Sequence, residues 1–147
     1  MSGIVCAVRG GPASRHTIER AIVLAKESGL ALNFLYIVNI DFLDHTIRSR
    51  VQTISQQMQQ MGEFILLTAK ANAKANGIEA QDIVRHGNVT GEISKLCHEI
   101  HADYLVIGRP KFHLEDNLFT ETMLTEFTES VEKQTGAKVV MPESSES

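Results

Sequence analysis

Arg9 and Arg109 each end an apolar run, and each adjoins a glycine, in Val8-Arg9-Gly10 and Gly108-Arg109. A guanidinium beside glycine-bared backbone amides is a natural receptor for an anion, because fixed N–H donors can close around phosphate or carboxylate. Gly10-Gly11-Pro12 has the composition of such a cradle. A plain strand-to-helix turn uses the same residues, and the full GxGxxG fingerprint is absent. The six histidines raise metal binding. His98 and His101 are three apart, and His113 stands with Glu115 and Asp116. Zinc frameworks such as HExxH or paired Cys/His sets are missing, so His98 and His101 are expected on a solvated helix face. Ser14 and His16 suggest nucleophilic catalysis, but helix neighbours point apart and no GxSxG elbow is present. The chain is read as non-enzymatic, without a metal.

Alternating strands and helices must position these residues. Ile4–Val8 is a short apolar run that reads as a buried strand. Pro12 and Ser14 open a helix with the stripe Ile18, Ala21, Ile22 and Ala25, closed by Gly29. Ala31–Val38 is apolar nearly throughout, which marks a strand covered on both faces. A long helix is expected from about Asp44 to Asn76, with the stripe Ile47, Val51, Ile54, Met58, Met61 and Ile65. Its Gln-rich stretch, Gln52 to Gln60, keeps helical period and forms a polar outer face. The more polar strand Glu79–Arg85 belongs at a sheet edge.

Gly87 marks a turn, Thr90 is the expected N-cap, and Ile93, Leu96, Cys97 and Ile100 form the next stripe. Tyr104–Ile107 is a fourth strand, and Lys111–Asn117 reads as a loop. A helix from about Phe119 to Gln134 buries Leu124, Phe127 and Val131. Gly136 ends it before a last strand, Lys138–Met141, stopped by Pro142. This order predicts an α/β fold: a Rossmann-like, doubly wound, five-stranded parallel sheet with helices on both faces. Residues 1–142 form one domain, and 143–147 a polar tail. Ligands of such sheets bind outside the carboxyl ends of the strands. The candidate binding residues are therefore Val8, Arg9, Gly10, Val38, Gly87, Gly108 and Arg109, with Asn39 beside Val38.

A length of 147 residues with 43% hydrophobic and 22% charged residues suits one globular domain with its own core. The net charge of -4 argues against nucleic acid, which requires a concentrated basic face. Cys6 and Cys97 read as buried, reduced thiols and point to a cytoplasmic protein. The N-terminus lacks the pattern of a signal peptide, and the apolar runs are too short for membrane insertion.

The opening IVCAVRGGPASRHTIERAIVLA resembles that of a universal stress protein, with Gly10, Pro12 and Ser14 matching. VRHGNVTGEISKLCHEIHADYLVIGRP is similar to that family's third helix and fourth strand through Gly87, Ile93, Ala102, Asp103 and Gly108. LTEFTESVEKQTGAKVVM looks like its last helix and strand, so the resemblance covers the whole chain.

Nucleotide-binding members carry Gly-x2-Gly-x9-Gly-(Ser/Thr) after the fourth strand. Gly108 fits the first glycine, but the second falls on Lys111. Counted forward, the final pair falls on Glu121-Thr122; aligned on the last helix, it falls on Thr125-Glu126. The acid that usually ends the first strand is Arg9, and the proline of Gly-x-Pro is Val89. The resemblance thus implies a regulatory or stress-response protein with a degraded phosphate site and weak or absent ATP binding. Arg9 and Arg109 either rescue an anion site or pair with Glu126 and fill it, and the second reading is favoured. A remodelled nucleotide site with slow hydrolysis, and a small-anion domain serving a transporter or signalling protein, are the alternatives. The last strand presents an edge, which points to a homodimer through Lys138–Met141, against the plainer reading of a covered edge within one chain.

Overall fold

The computed structural model describes residues 3–9, 12–39, 48–108 and 121–141. These form strands β1 (Gly3–Ala7), β2 (Ala31–Val38), β3 (Ala80–His86), β4 (Ala102–Val106) and β5 (Lys138–Val140). Four helices alternate with them: α1 (Pro12–Ser28), α2 (Arg48–Ala75), α3 (Val89–Glu99) and α4 (Glu121–Thr135). The expected helix start at Asp44, with Ile47, lies outside the described residues, as do Gly10, Arg109, the stretch Lys111–Asn117 and the tail Glu143–Ser147.

The strands form one parallel sheet in the order β3-β2-β1-β4-β5. The chain moves outward from β1 through β2 to β3, then crosses back to β4 on the other side of β1. The strand order therefore reverses between β1 and β4. Alternate side chains of the central strands feed two cores. Ile4 and Cys6 of β1, with Leu32, Phe34, Tyr36 and Val38 of β2, pack against α1 and α2. Val5, Leu35 and Leu105 face α3 and α4 with Ile93, Leu96, Cys97 and Val131. The polar strand β3 lies at one edge, as its composition predicts, and β5 at the other.

Local chemistry explains the boundaries. Gly29, Gly77 and Gly136 have φ of 74°, 82° and 79°, the left-handed turn that glycine adopts cheaply after a helix. The expected N-cap Thr90 is corrected to Asn88, whose Oδ1 accepts from the Gly91 amide at 2.9 Å. Val89 is consequently the first residue of α3. Asn88 wins because its short side chain can turn back on the third amide of the helix while its own backbone is still extended, at φ -74° and ψ 131°. The Thr90 hydroxyl instead donates to the same Asn88 oxygen at 2.8 Å.

The stripe of α2 also differs from the expected one. Met61 is 56% exposed, while Leu66, Ala69 and Ala73 are buried. Tyr36 projects from β2 onto Gly62, and a Cβ at residue 62 would collide with the ring carbons. The helix must present a residue without a side chain there, which turns Met61, Phe64 and Leu67 outward.

Replacing Gly62 tests this contact. Gly62→Ala gains about 1 kcal/mol of helix propensity but overpacks the ring, a loss of about 1–3 kcal/mol. A net fall in urea-unfolding stability is expected. Equal or greater stability would show that α2 shifts freely over Tyr36.

Candidate functional site

The carboxyl ends of β1 and β2 open on a cavity of about 230 Å³. Ala7, Leu35 and Ile37 come from the strands, Met58 from α2, and Val89 and Ile93 from α3. Arg9, Asn39 and Tyr36 are the lining residues with polar side chains. The walls are apolar because the same strand positions that build the two cores continue outward to the strand ends. Val8, also in this wall, is 3% exposed and donates its amide to the Leu35 carbonyl at 2.8 Å.

The sequence-derived candidates fall into separate groups. Val8 and Arg9 line the cavity. The Arg9 amide donates to Ser14 Oγ at 3.4 Å, so the first turn of α1 takes up this strand-end donor. Val38 and Gly87 bond to each other, with the Gly87 amide donating to the Val38 carbonyl at 3.0 Å. Gly87 has φ 142°, and a Cβ there would sit 3.1 Å from the Glu92 carboxylate, so both backbone and space favour glycine. Gly108 ends β4 across the switch from Arg9, and a Cβ on it would lie 3.0 Å from the hydroxyl of buried Thr17. This close approach of β4 to α1 accounts for a glycine at that strand end. Gly10 and Arg109 lie outside the described residues, so the proposed arginine pair has no described geometry.

Thr125 and Glu126 are exposed residues of α4, the fifth and sixth of that helix counted from Glu121. The chain before Glu121 lies outside the described residues, so neither register is placed against the start of this helix. Counted forward from Gly108, the last pair of the pattern is Glu121-Thr122; aligned on the helix, it is Thr125-Glu126.

An ion-pair cluster joins β3 to α3. Arg85 of β3 donates to both carboxylate oxygens of Glu99, at 2.8 and 3.4 Å, and lies 3.8 Å from Glu92. The hydrogen bond to Glu99 raises the guanidinium further, and in return holds the Glu99 carboxyl below its ordinary range. An exposed pair of this kind adds little stability. Its role is positional: it ties the edge strand to α3, whose first turn carries Glu92 and whose Asn88 caps the Gly91 amide.

Potential nucleophiles near the sheet are muted. Cys6 is fully buried, and desolvation pushes its thiol far up; Cys97 is pushed up to about 12 for the same reason. His98 and His101 are exposed, with ring centroids 6.4 Å apart. Among the described residues, no cluster of three or more His, Cys, Asp or Glu side chains could hold a metal ion.

Sequence reasoning missed Met58, Val89 and Ile93 as cavity walls, reading Met58 and Ile93 as core positions. Their apolar character is the same in either role. Only the crossing of α2 and α3 over the strand ends separates the two.

The sequence model described as the Universal stress protein family matches residues 1–141. No curated protein sequence matches the chain. Among solved structures, the universal stress protein UspA from Lactobacillus plantarum superposes with a TM-score of 0.77 at 13% identity, over 97% of each chain. A universal stress protein solved in complex with cAMP gives 0.67 at 20% identity, over 97% of this chain and 98% of that one. One from Archaeoglobus fulgidus in complex with dAMP gives 0.61 at 13% identity, over 96% and 97%. At these identities the structural likeness establishes the fold.

The cysteines give a test of site chemistry. Unfolded thiols ionise near their ordinary value of 9.0, whereas buried Cys6 and Cys97 hold their protons well above it. The unfolded state therefore sheds protons first, and the thiol contribution to stability, complete below pH 9, is lost as pH rises beyond it. Ellman's reagent at pH 8 should label neither thiol in the native protein and both in denaturant. Rapid native labelling would return a reactive cysteine to the site.

Proposed function

The chain belongs to the universal stress protein family, and we propose that within it this protein acts as a non-enzymatic, stress-related regulator that does not bind ATP tightly. The observation that carries this reading is in the sequence after β4, where Lys111 and Glu121 stand at positions that the family's phosphate-binding pattern gives to glycine. Glycine lets backbone amides close around phosphate, and an acid brings a charge of the anion's own sign. The cavity supports the reading, since about 230 Å³ is smaller than the ~300–1,000 Å³ typical of drug-sized ligands. Its apolar walls suit a flat heterocycle, while Lys111 and Glu121 replace the glycines that the family's triphosphate pattern uses.

A second reading rests on the same cavity. Similar structures are complexes with cAMP and dAMP, each carrying one phosphate. The strand-end cavity with Arg9 at its mouth supports a nucleoside monophosphate, or another small anion with a flat apolar part, as the ligand. The buried reduced cysteines and the absence, among the described residues, of a helix able to cross a membrane fit cytoplasmic residence.

Calorimetry distinguishes the readings. Mg-ATP should give no saturable heat at micromolar concentration. Restoring the glycine pattern should create micromolar binding, either as Lys111→Gly with Glu121→Gly in the forward register or as Lys111→Gly with Thr125→Gly and Glu126→Ser in the helix-aligned one, and the variant that binds identifies the register. Tight Mg-ATP binding by the unaltered chain would overturn the leading reading, and saturable binding of AMP or cAMP alone would select the second.

We further propose a homodimer through β5, the edge opposite β3. Val139 and Met141 are only partly buried there. Light scattering should give twice the chain mass at high micromolar protein, and a chain truncated after Thr135 should fall to the monomer mass. A monomeric intact protein overturns the dimer; a folded truncated dimer moves its interface to another face.

A further inference from the structure

Strand β5 has one pairing side satisfied by β4. The Ile107 amide donates to the Val140 carbonyl at 3.0 Å, and Val140 stands in register with Val106. Peptide groups alternate along a strand, so those of Val140 and Lys138 face β4. Those of Val139 face away from the sheet, as do those of Ala137 just before the strand.

Two outward amides, those of Val139 and Ala137, are already taken by side chains of the preceding helix. Val139 donates to Glu132 Oε2 at 3.1 Å, and Ala137 donates to Thr135 Oγ1 at 3.1 Å. The Thr135 hydroxyl donates in turn to the Val131 carbonyl at 2.6 Å, which fixes its lone pairs towards Ala137. Glu132 is exposed and lies one turn before the end of α4. It reaches forward over the short link through Gly136, whose left-handed φ of 79° folds β5 back alongside the helix.

An unpaired edge amide is the donor that a second strand would seek. We propose that Glu132 is a latch on the β5 edge: its carboxylate competes with a second copy of this chain for the Val139 amide and so weakens strand-to-strand association. This rests on the β5 dimer proposed above and adds the residue that sets its strength. For a second copy to pair at Val139, the latch must release in each chain.

The test uses the full chain as Glu132→Ala and Glu132→Gln, with folding checked by far-UV circular dichroism. Sedimentation equilibrium should show dimerisation about tenfold tighter in Glu132→Ala, the effect of releasing two modest hydrogen bonds per dimer. Glu132→Gln, whose amide oxygen accepts less strongly, should fall between the two. Hydrogen exchange on dilute, monomeric protein should be faster at Val139 in Glu132→Ala and unchanged at Val140, which faces β4. Unchanged exchange and an unchanged dimer constant overturn the latch and leave the β5 dimer standing. Faster exchange at Val139 with no dimer in any variant overturns both the latch's role in association and the dimer. A weaker dimer in Glu132→Ala overturns the latch by making Glu132 an adhesive contact.

Discussion

Everything in this fold depends on β1 being apolar towards both faces. Ile4, Val5 and Cys6 are consecutive residues, each fully buried, and in a strand consecutive side chains point to opposite sides. Fully burying a side chain such as Ile4 or Val5 is worth roughly 1.5–3 kcal/mol, which is lost if either face of the sheet is left bare. Both faces must therefore carry helices. With parallel strands, that is achieved by winding the chain outward on one side of β1 and returning on the other. The reversal between β1 and β4 follows, and with it the crevice where strand ends diverge.

The crevice inherits its character from this burial. Side chains that fill the two cores continue to the strand ends, so the cavity is walled by apolar groups and has few polar ones at its mouth. Strand-end backbone groups are largely committed: Val8 to Leu35, Gly87 to Val38, and the Arg9 amide to Ser14. Glu92 stands in the first turn of α3, 3.8 Å from Arg85. An acidic first turn stabilises a helix through its dipole.

The sheet edges show the opposite side of the same constraint. A doubly wound sheet covers its faces but leaves its two outer strands half paired. β3 manages its edge with polar side chains and with ion pairs from Asp82 to Lys70 and from Arg85 to Glu99 and Glu92. β5 is only three residues long and uses side chains of α4 to cover its outward amides.

Apolar periodicity and punctuation in the sequence were sufficient for the architecture. The runs around Ile4 and Ala31–Val38, the stripe Ile18-Ala21-Ile22-Ala25 and the glycines after α1, α2 and α4 specified the alternation and the parallel sheet, and the polar composition of Glu79–Arg85 the edge position of β3. Each of these is a local consequence of side-chain burial or backbone freedom, so each can be read residue by residue. The anion readings of Arg9 and Gly108 were legible only as positions at strand ends. The choice of Asn88 over Thr90 as cap, the outward turn of Met61 and the walls supplied by Met58, Val89 and Ile93 were decided by tertiary structure. So was the reach of Glu132 to Val139. These depend on how one element rotates and slides against another, as Gly62 does beneath Tyr36. Such contacts join residues distant in sequence or choose among neighbours of equal propensity, and no local pattern records them.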